Sequence, residues 1–418
     1  MRAPAQGNEW PAPSAVYEVG GHRFDATSQS FAEAIATAHA GHQRPRCLCC
    51  RHGDGRGVEM YVARLGDGFI VKRMPNTGSQ HAPDCPSYEP PAEFSGLGQV
   101  LGSAITEDPA TGATTLKLAF SLSKIAGRST MPTAGSTGDS VSTSGTRLSL
   151  RALLHYLWDQ AELTKWQPGF AGKRSWATVR KHLLLAAENK MARGEPLHTR
   201  LYIPEVFSVE QRDAINARRL AQWAHAVAKP GKPQQLILMI AEVKEIVPAR
   251  YGYKAVIKHV PDQAFALDEQ LYRRLGRRFE GELSLWGAAD NLHMLIIATF
   301  GVSEAGVPAI AELSLMPVTS QWLPIEDSFE QQLVELLIQQ GRRFVKGLRY
   351  NMPSGAALTR AVLTDVGELP IGLYIGSHGE DEQNAGRAID DHGLPGAPPW
   401  IWNPAQGGFP ALPRRAPQ

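Results

Sequence analysis

The chain has 418 residues, 43% hydrophobic and 20% charged, with a formal net charge of +2. That length accommodates two or three domains of ordinary globular composition, and so mild a charge excludes any case for nucleic-acid binding from net charge alone. No apolar run approaches the roughly 20 residues that span a bilayer, and MRAPAQGNEWPAPSAVYEVGG lacks a secretory core, so a soluble, cytoplasmic protein without membrane contact is expected.

Residues 1–20 are rich in Pro and Ala and read as loosely ordered. A short strand in YEVGGHRF leads to SFAEAIATAHAG, whose helical pattern stops at Gly. RPRCLCCRHG follows, with three of the chain's four cysteines in four positions. GVEMYVARLGDGFIVKRMP then places β-branched and aromatic residues on either side of GDG and reads as a hairpin. His81 and Cys85 come directly after it, in QHAPDCPSY.

Four cysteines gathered near one end of a long chain are better read as metal ligands than as a disulfide framework. Zinc takes four tetrahedral ligands, usually thiolate or imidazole. The first pair is Cys47 with Cys49 or Cys50, and spacing leaves that choice open. The second pair is His81 and Cys85, whose spacing fits one helical turn, while Pro83 between them fits a loop equally well. Two other readings compete: reduced cysteines packed together by chance, and a catalytic thiol. The thiol reading lacks a legible acid–base partner. His42 and His52 flank the cluster and could replace His81, although surface histidines are the commoner case.

The run C-L-C, then M-Y-V-A-R, then K-R-M-P-N-T-G, then H-A-P-D-C resembles the start of an uncharacterised bacterial group, domain of unknown function family 1173. On that pattern the matching residues are Cys47, Cys49, His81 and Cys85, and Cys50 is an extra thiol. The resemblance implies a bacterial protein linked with integrative or conjugative elements. It implies no activity, because the family has none assigned.

Residues 127–147, GRSTMPTAGSTGDSVSTSGTR, are dominated by Gly, Ser and Thr and read as a flexible linker. LSLRALLHYLWDQAEL then predicts a helix with Leu150, Leu153, Leu154 and Leu157 on one face. SWATVRKHLLLAAEN predicts a second, capped by Ser175. With GEPLHTRLYIP as a wing carrying His198 and Arg200, this stretch can be read as a winged helix. Lys173, Arg174, Arg180 and Lys181 would then meet phosphates in the major groove. The alternative is a solvated basic face. GFAGKRS lacks the spacing of a P-loop.

Another helix is expected near 208–228, and AKPGKP marks a boundary. QLILMIAEVKEIV, GYKAVIKHV, LHMLIIATFGV and AIAELSLMPV read as strands. SFEQQLVELLIQQGRRF reads as a helix, and RAVLTDVG and LPIGLYIGS as strands after it. That order resembles a restriction-endonuclease-like core, which needs an Asp on one strand and an acidic-x-Lys pair on the next to hold a metal. The corresponding positions fall near Arg360 and Tyr374. Asp365 and Glu368 sit in the turn and Glu330 on the helix, so either a degenerate, non-catalytic relative or a chance likeness is expected. Arg342, Arg343, Lys346 and Arg349 form a basic cluster that could contact phosphates or offset the helix macrodipole. PPWIWNP puts Trp400 and Trp402 on one side of an extended tail, for packing or for base stacking. HGEDEQNAGRAIDDHG reads as a solvated loop.

The expected fold is a multidomain α+β protein. A zinc-ribbon-like module with its hairpin spans 1–126, and the linker spans 127–147. A helical, winged-helix-like segment spans 148–229, a β-rich region 230–322, and the C-terminal α/β region with its Pro/Gly-rich tail 323–418. The expected function is that of a zinc-binding, nucleic-acid-associated accessory protein, with DNA and mobile-element proteins as partners. No catalytic residue is assigned. The alternatives are a metal-dependent nuclease using Glu330 and Asp365, and a non-enzymatic protein-interaction scaffold.

Overall fold

The computed structural model of the protein describes residues 15–50, 56–65, 68–74, 77–108, 112–124, 146–352, 358–367, 369–376 and 398–416. The expected linker, apart from its last two residues, His52, Glu368 and the acidic stretch HGEDEQNAGRAIDDHG lie outside them. The architecture is mixed α+β.

The N-terminal strands are β1 (Val16–Val19), β2 (His22–Asp25), β3 (Arg46–Cys47), β4 (Val58–Leu65) and β5 (Gly68–Arg73), with α1 (Gln29–Ala40) between β2 and β3. They form one antiparallel sheet in the order β2-β1-β3-β4-β5. The expected first strand is thus a hairpin, turning at Gly20 and Gly21, both at positive φ. The hairpin expected around GDG is present as β4–β5, with Met60 opposite Arg73 and Leu65 opposite Gly68. Phe31, Ile35 and Ala38 of α1 recur at helical spacing and bury against this sheet, in one core with Cys47, Met60, Cys85 and Tyr88.

The helices α2 (Leu150–Gln160) and α3 (Trp176–Ala187) form as expected, with Ser149 and Ser175 accepting from Ala152 N and Thr178 N at their starts. Leu150, Leu153, Leu154 and Leu157 are all buried. A short hairpin follows, Lys190–Ala192 with Glu195–Pro196, but Lys190–Ala192 also pairs in parallel with Thr114–Leu116. The expected wing is therefore an edge of a larger four-stranded sheet. A winged helix is not what this segment establishes. The helix α4 (Arg212–Trp223) ends the segment.

The apolar runs read as strands form the central sheet: Ile237–Pro248, Tyr253–Ile257, His293–Val302 and Pro308–Val318. Ala264–Leu267 belongs to it as well, followed by α5 (Glu269–Arg278) and α6 (Glu280–Ala288). Pairing of Ile237–Pro248 with both Tyr253–Ile257 and His293–Val302 closes five of its strands on themselves. The run ILMIA is continuously apolar because both its faces are covered. Leu238 and Ile240 join the core of α2 and α3, while Ile237, Met239, Ala241 and Val243 join a second core with Phe265 and Phe300.

The helix α7 (Ser328–Gln339) is capped by Asp327, which accepts from Glu330 N at 2.8 Å. Its Leu333, Val334 and Leu337 pack in a core with Trp166, Phe344 and Leu373. The sheet there runs Trp400–Trp402, Ile371–Ile375, Ala361–Leu363, Phe344–Lys346, Lys165–Trp166. Its last strand comes from the segment after α2, so the core of α7 draws on distant stretches of chain. Trp400 and Trp402 are buried, and their indole N–H groups donate to Ala411 O and Gly407 O. They pack the tail and leave no face for bases. Helix-then-strands order is present, but a restriction-endonuclease-like core is not established. Arg360 and the buried Tyr374, near which the sequence pattern would need carboxylates, supply none.

Candidate metal centre

The strand β3 ends at Cys47, paired with Tyr17 on one side and Val58 on the other. The chain returns past it at Gly57, with φ +76°, where an added Cβ would lie 2.5 Å from the Cys47 carbonyl oxygen. Only glycine permits that approach. Cys49 follows just beyond the strand end. After the β4–β5 hairpin, a short 3-10 turn, Gly78–Gln80, delivers His81. Two further turns, Cys85 N to Ala82 O and Tyr88 N to Cys85 O, hold Cys85 in a loop that contains Pro83. The loop reading of the His81–Cys85 spacing is the one observed.

These elements bring Cys47, Cys49, His81 and Cys85 together, with one ligand atom from each lying within 4.8 Å of all the others. The Cys47 and Cys85 sulfurs are 3.7 Å apart, Cys49 Sγ is 3.4 Å from His81 Nδ1, and Cys85 Sγ is 3.7 Å from it. A tetrahedral ion with metal–sulfur bonds near 2.3 Å and metal–nitrogen bonds near 2.0 Å needs edges of about 3.8 Å and about 3.6 Å. These three edges lie close to those values, so the group could hold a metal ion. Cys47, His81 and Cys85 are buried and Cys49 is half-buried.

Backbone amides support the sulfurs. Ala82 N points to Cys49 Sγ at 3.5 Å and Ser87 N to Cys85 Sγ at 3.4 Å. Hydrogen bonds from Cys47 and Cys49, aided by the Ser87 amide, pull the Cys85 thiol down to about 3. Cys49 is pulled down as well, first by its hydrogen bond from Cys47, while that shared proton pushes Cys47 up. Cys49 and Cys85 are thus biased towards the thiolate, the form that binds metal, while Cys47 keeps the shared proton. His81 Nε2 is buried without a partner among the described residues. Cys50 stands apart. Its thiol donates to Gln80 O at 3.0 Å and lies 3.8 Å from Cys49 Sγ, outside the four-ligand group. His42 is exposed and also outside it.

The basic residues singled out in the sequence do not share one surface. Arg174 is buried, its guanidinium donating to Leu163 O at 2.9 Å, to Gln321 O at 3.3 Å and to Lys165 O. Arg342 is buried and holds Asp365 through Nε and Nη2. Lys346 is buried against Glu330, and Arg349 is buried against Glu326. All four are internal, Arg342, Lys346 and Arg349 as counter-ions and Arg174 on backbone carbonyls, which corrects the reading of an open basic cluster. Burial alone would raise Glu326, but Arg349 and Arg360 outweigh it and hold the carboxyl well below its usual range. Arg180 is half-buried, with Nε on Ile203 O. Lys173 and Lys181 are exposed and Arg343 is half-exposed.

The two carboxylates of the nuclease alternative are engaged by different cations, Glu330 by Lys346 and Asp365 by Arg342. They do not form a common metal site. Sequence reasoning missed Glu326, which accepts from both Arg349 and Arg360. Its only signal was its place just before the Asp327 cap. It also missed Lys165, whose ammonium reaches Pro86 O in the Cys85 loop from the segment after α2.

The profile described as protein of unknown function (DUF1173) matches residues 17–405, and the chain belongs to that family. Comparison with curated proteins and with solved structures found no match in either.

Proposed function

We propose that the chain is a zinc-binding, nucleic-acid-associated accessory protein in which zinc has a structural role. The observation that supports zinc is the closed set of three sulfurs and one imidazole nitrogen at tetrahedral spacing. That donor set is typical of structural zinc, and four protein ligands leave no open position for substrate. Soft thiolates disfavour magnesium, calcium and manganese.

The position of the centre fits a fastening role. It ties β3 to the loop of residues 78–89, and that loop is joined to the rest of the chain at several points. Arg73 pairs with Glu89 and Lys165 reaches Pro86 O, and just beyond the loop Gly96 N donates to Leu348 O at 3.1 Å. Loss of the ion would loosen the N-terminal sheet from this loop.

Nucleic-acid association rests on less: the exposed Lys173 and Lys181 and the half-exposed Arg343. Service to a bacterial mobile element belongs to the proposal on the family likeness alone. The test is binding of a random-sequence DNA duplex at about 50 mM and 200 mM salt. The proposal expects binding at low salt that falls steeply at high salt, weakened when Lys173 and Lys181 are replaced by Glu. No binding at low salt, or binding indifferent to salt, contradicts it.

A further inference from the structure

A cavity of about 190 Å³ opens beside the metal centre, with Pro83, Cys85 and Pro86 in its wall. Trp166 and Phe170 line it from the segment after α2, meeting edge to face with centroids 6.3 Å apart. His182 of α3 and Arg343 also line it. The wall thus combines proline and aromatic residues with the charged Asp84, Glu162, Lys165 and Arg343, an apolar surface with a few groups that could orient a small molecule.

The charges differ in how they are used. Lys165 is engaged by Glu162 at 3.0 Å and by Pro86 O. Asp84 is exposed, where solvent and salt screen it. The Arg343 guanidinium is half-exposed and makes no hydrogen bond or ion pair among the described residues. The Trp166 indole N–H and the Tyr88 hydroxyl belong to lining residues, but both atoms are closed to solvent, which leaves Arg343 as the donor offered to the cavity.

We propose that this cavity binds a small planar anion, an aromatic ring carrying one carboxylate or phosphate. The ring lies against Trp166 and Phe170, and the anionic group meets Arg343. A cavity of roughly 150 Å³ holds a benzene ring, so this one suits a single ring with its substituent. Arg343 favours both carboxylate and phosphate through its planar fork of donors. The site needs neither the DNA reading nor a particular metal.

The test titrates the metal-replete full chain with benzoate, phenyl phosphate and benzyl alcohol, followed by calorimetry or ligand-observed NMR. At least one anion is expected to bind about tenfold tighter than the alcohol. Preference for benzoate assigns a carboxylate ligand, and preference for phenyl phosphate a phosphomonoester. Arg343→Gln should erase the preference, Arg343→Lys should keep part of it, and Phe170→Ala should weaken all three probes. Thermal unfolding of the variants separates lost binding from lost fold. Absence of binding by both anions overturns the proposal. So does an anion preference that survives in folded Arg343→Gln.

Discussion

Glu330 Oε1 and Lys346 Nζ lie 2.7 Å apart, with both side chains closed to solvent. The lysine that the sequence offered to phosphates neutralises a carboxylate on α7 instead. Removing one member of a buried pair strands the other, at a cost of about 3–5 kcal/mol. Arg360, 3.5 Å from Glu330, offsets part of that. Lys346→Met is therefore expected to lose stability at the low end of that range, and Lys346→Met with Glu330→Leu to regain most of it. Denaturant unfolding of the two variants checks this. Weakened DNA binding by Lys346→Met at unchanged stability would contradict the internal role.

Asp365 accepts from Arg342 Nε at 2.9 Å, from its Nη2 at 2.7 Å and from the Arg343 amide at 3.0 Å. Asp365→Ala leaves a buried guanidinium short of its anion. The expected outcome is a lower unfolding temperature. Neither wild type nor variant should cut plasmid with Mg²⁺ or Mn²⁺. Metal-dependent cutting that vanishes in Asp365→Ala would restore the nuclease alternative.

Cys49 and Cys50 are adjacent in sequence but not equivalent in position. Cys49 faces His81 Nδ1, while Cys50 turns to Gln80 O. Cys50→Ser should keep a full complement of metal and an unchanged unfolding temperature. Cys49→Ser should lose metal and unfold on the order of 5 °C earlier or more, since structural zinc binding contributes to folding. Equal metal retention by the two variants would show that the four-ligand group is wrongly drawn.

Lys190 is buried beside the Tyr156 ring, with Nζ on Thr114 Oγ1 at 3.0 Å and Gln160 Oε1 at 3.1 Å. Burial pushes its pKa down from 10.5 to about 7, and Lys72 and Arg73 add to the effect. Between those values the unfolded chain binds the proton that the folded chain releases, so the Lys190 contribution rises with pH across that window. Below about 7 both states are charged and the full burial cost stands. Lys190→Met should therefore be more stable than wild type at pH 6, and the gap should close towards pH 10. Thermal unfolding of both across that range reads it, and a gap independent of pH would contradict it.

The sequence was most legible where local chemistry decides. Ser175 caps its helix, β-branched and aromatic residues around GDG marked β4–β5, and His81 and Cys85 fall in the cluster their spacing pointed to. Charge was the least legible property. Whether an arginine or lysine faces solvent depends on carboxylates distant in the chain, as Arg349 depends on Glu326 and Lys346 on Glu330. The choice between Cys49 and Cys50 could not come from spacing, because it is set by how β3 ends beside Gly57 and by where the loop returns. The helices α5 and α6 went unread, although Asp268, which caps α5 by accepting from Leu271 N at 2.7 Å, was a usable signal ahead of Leu271 and Leu275.

The most direct test is the metal content of the purified protein by mass spectrometry, beside a count of reactive thiols before and after chelation. The account predicts close to one zinc per chain, Cys50 alone reacting at first, and all four cysteines reacting once the ion is stripped. Protein that carries no metal and exposes all four thiols from the start would contradict it.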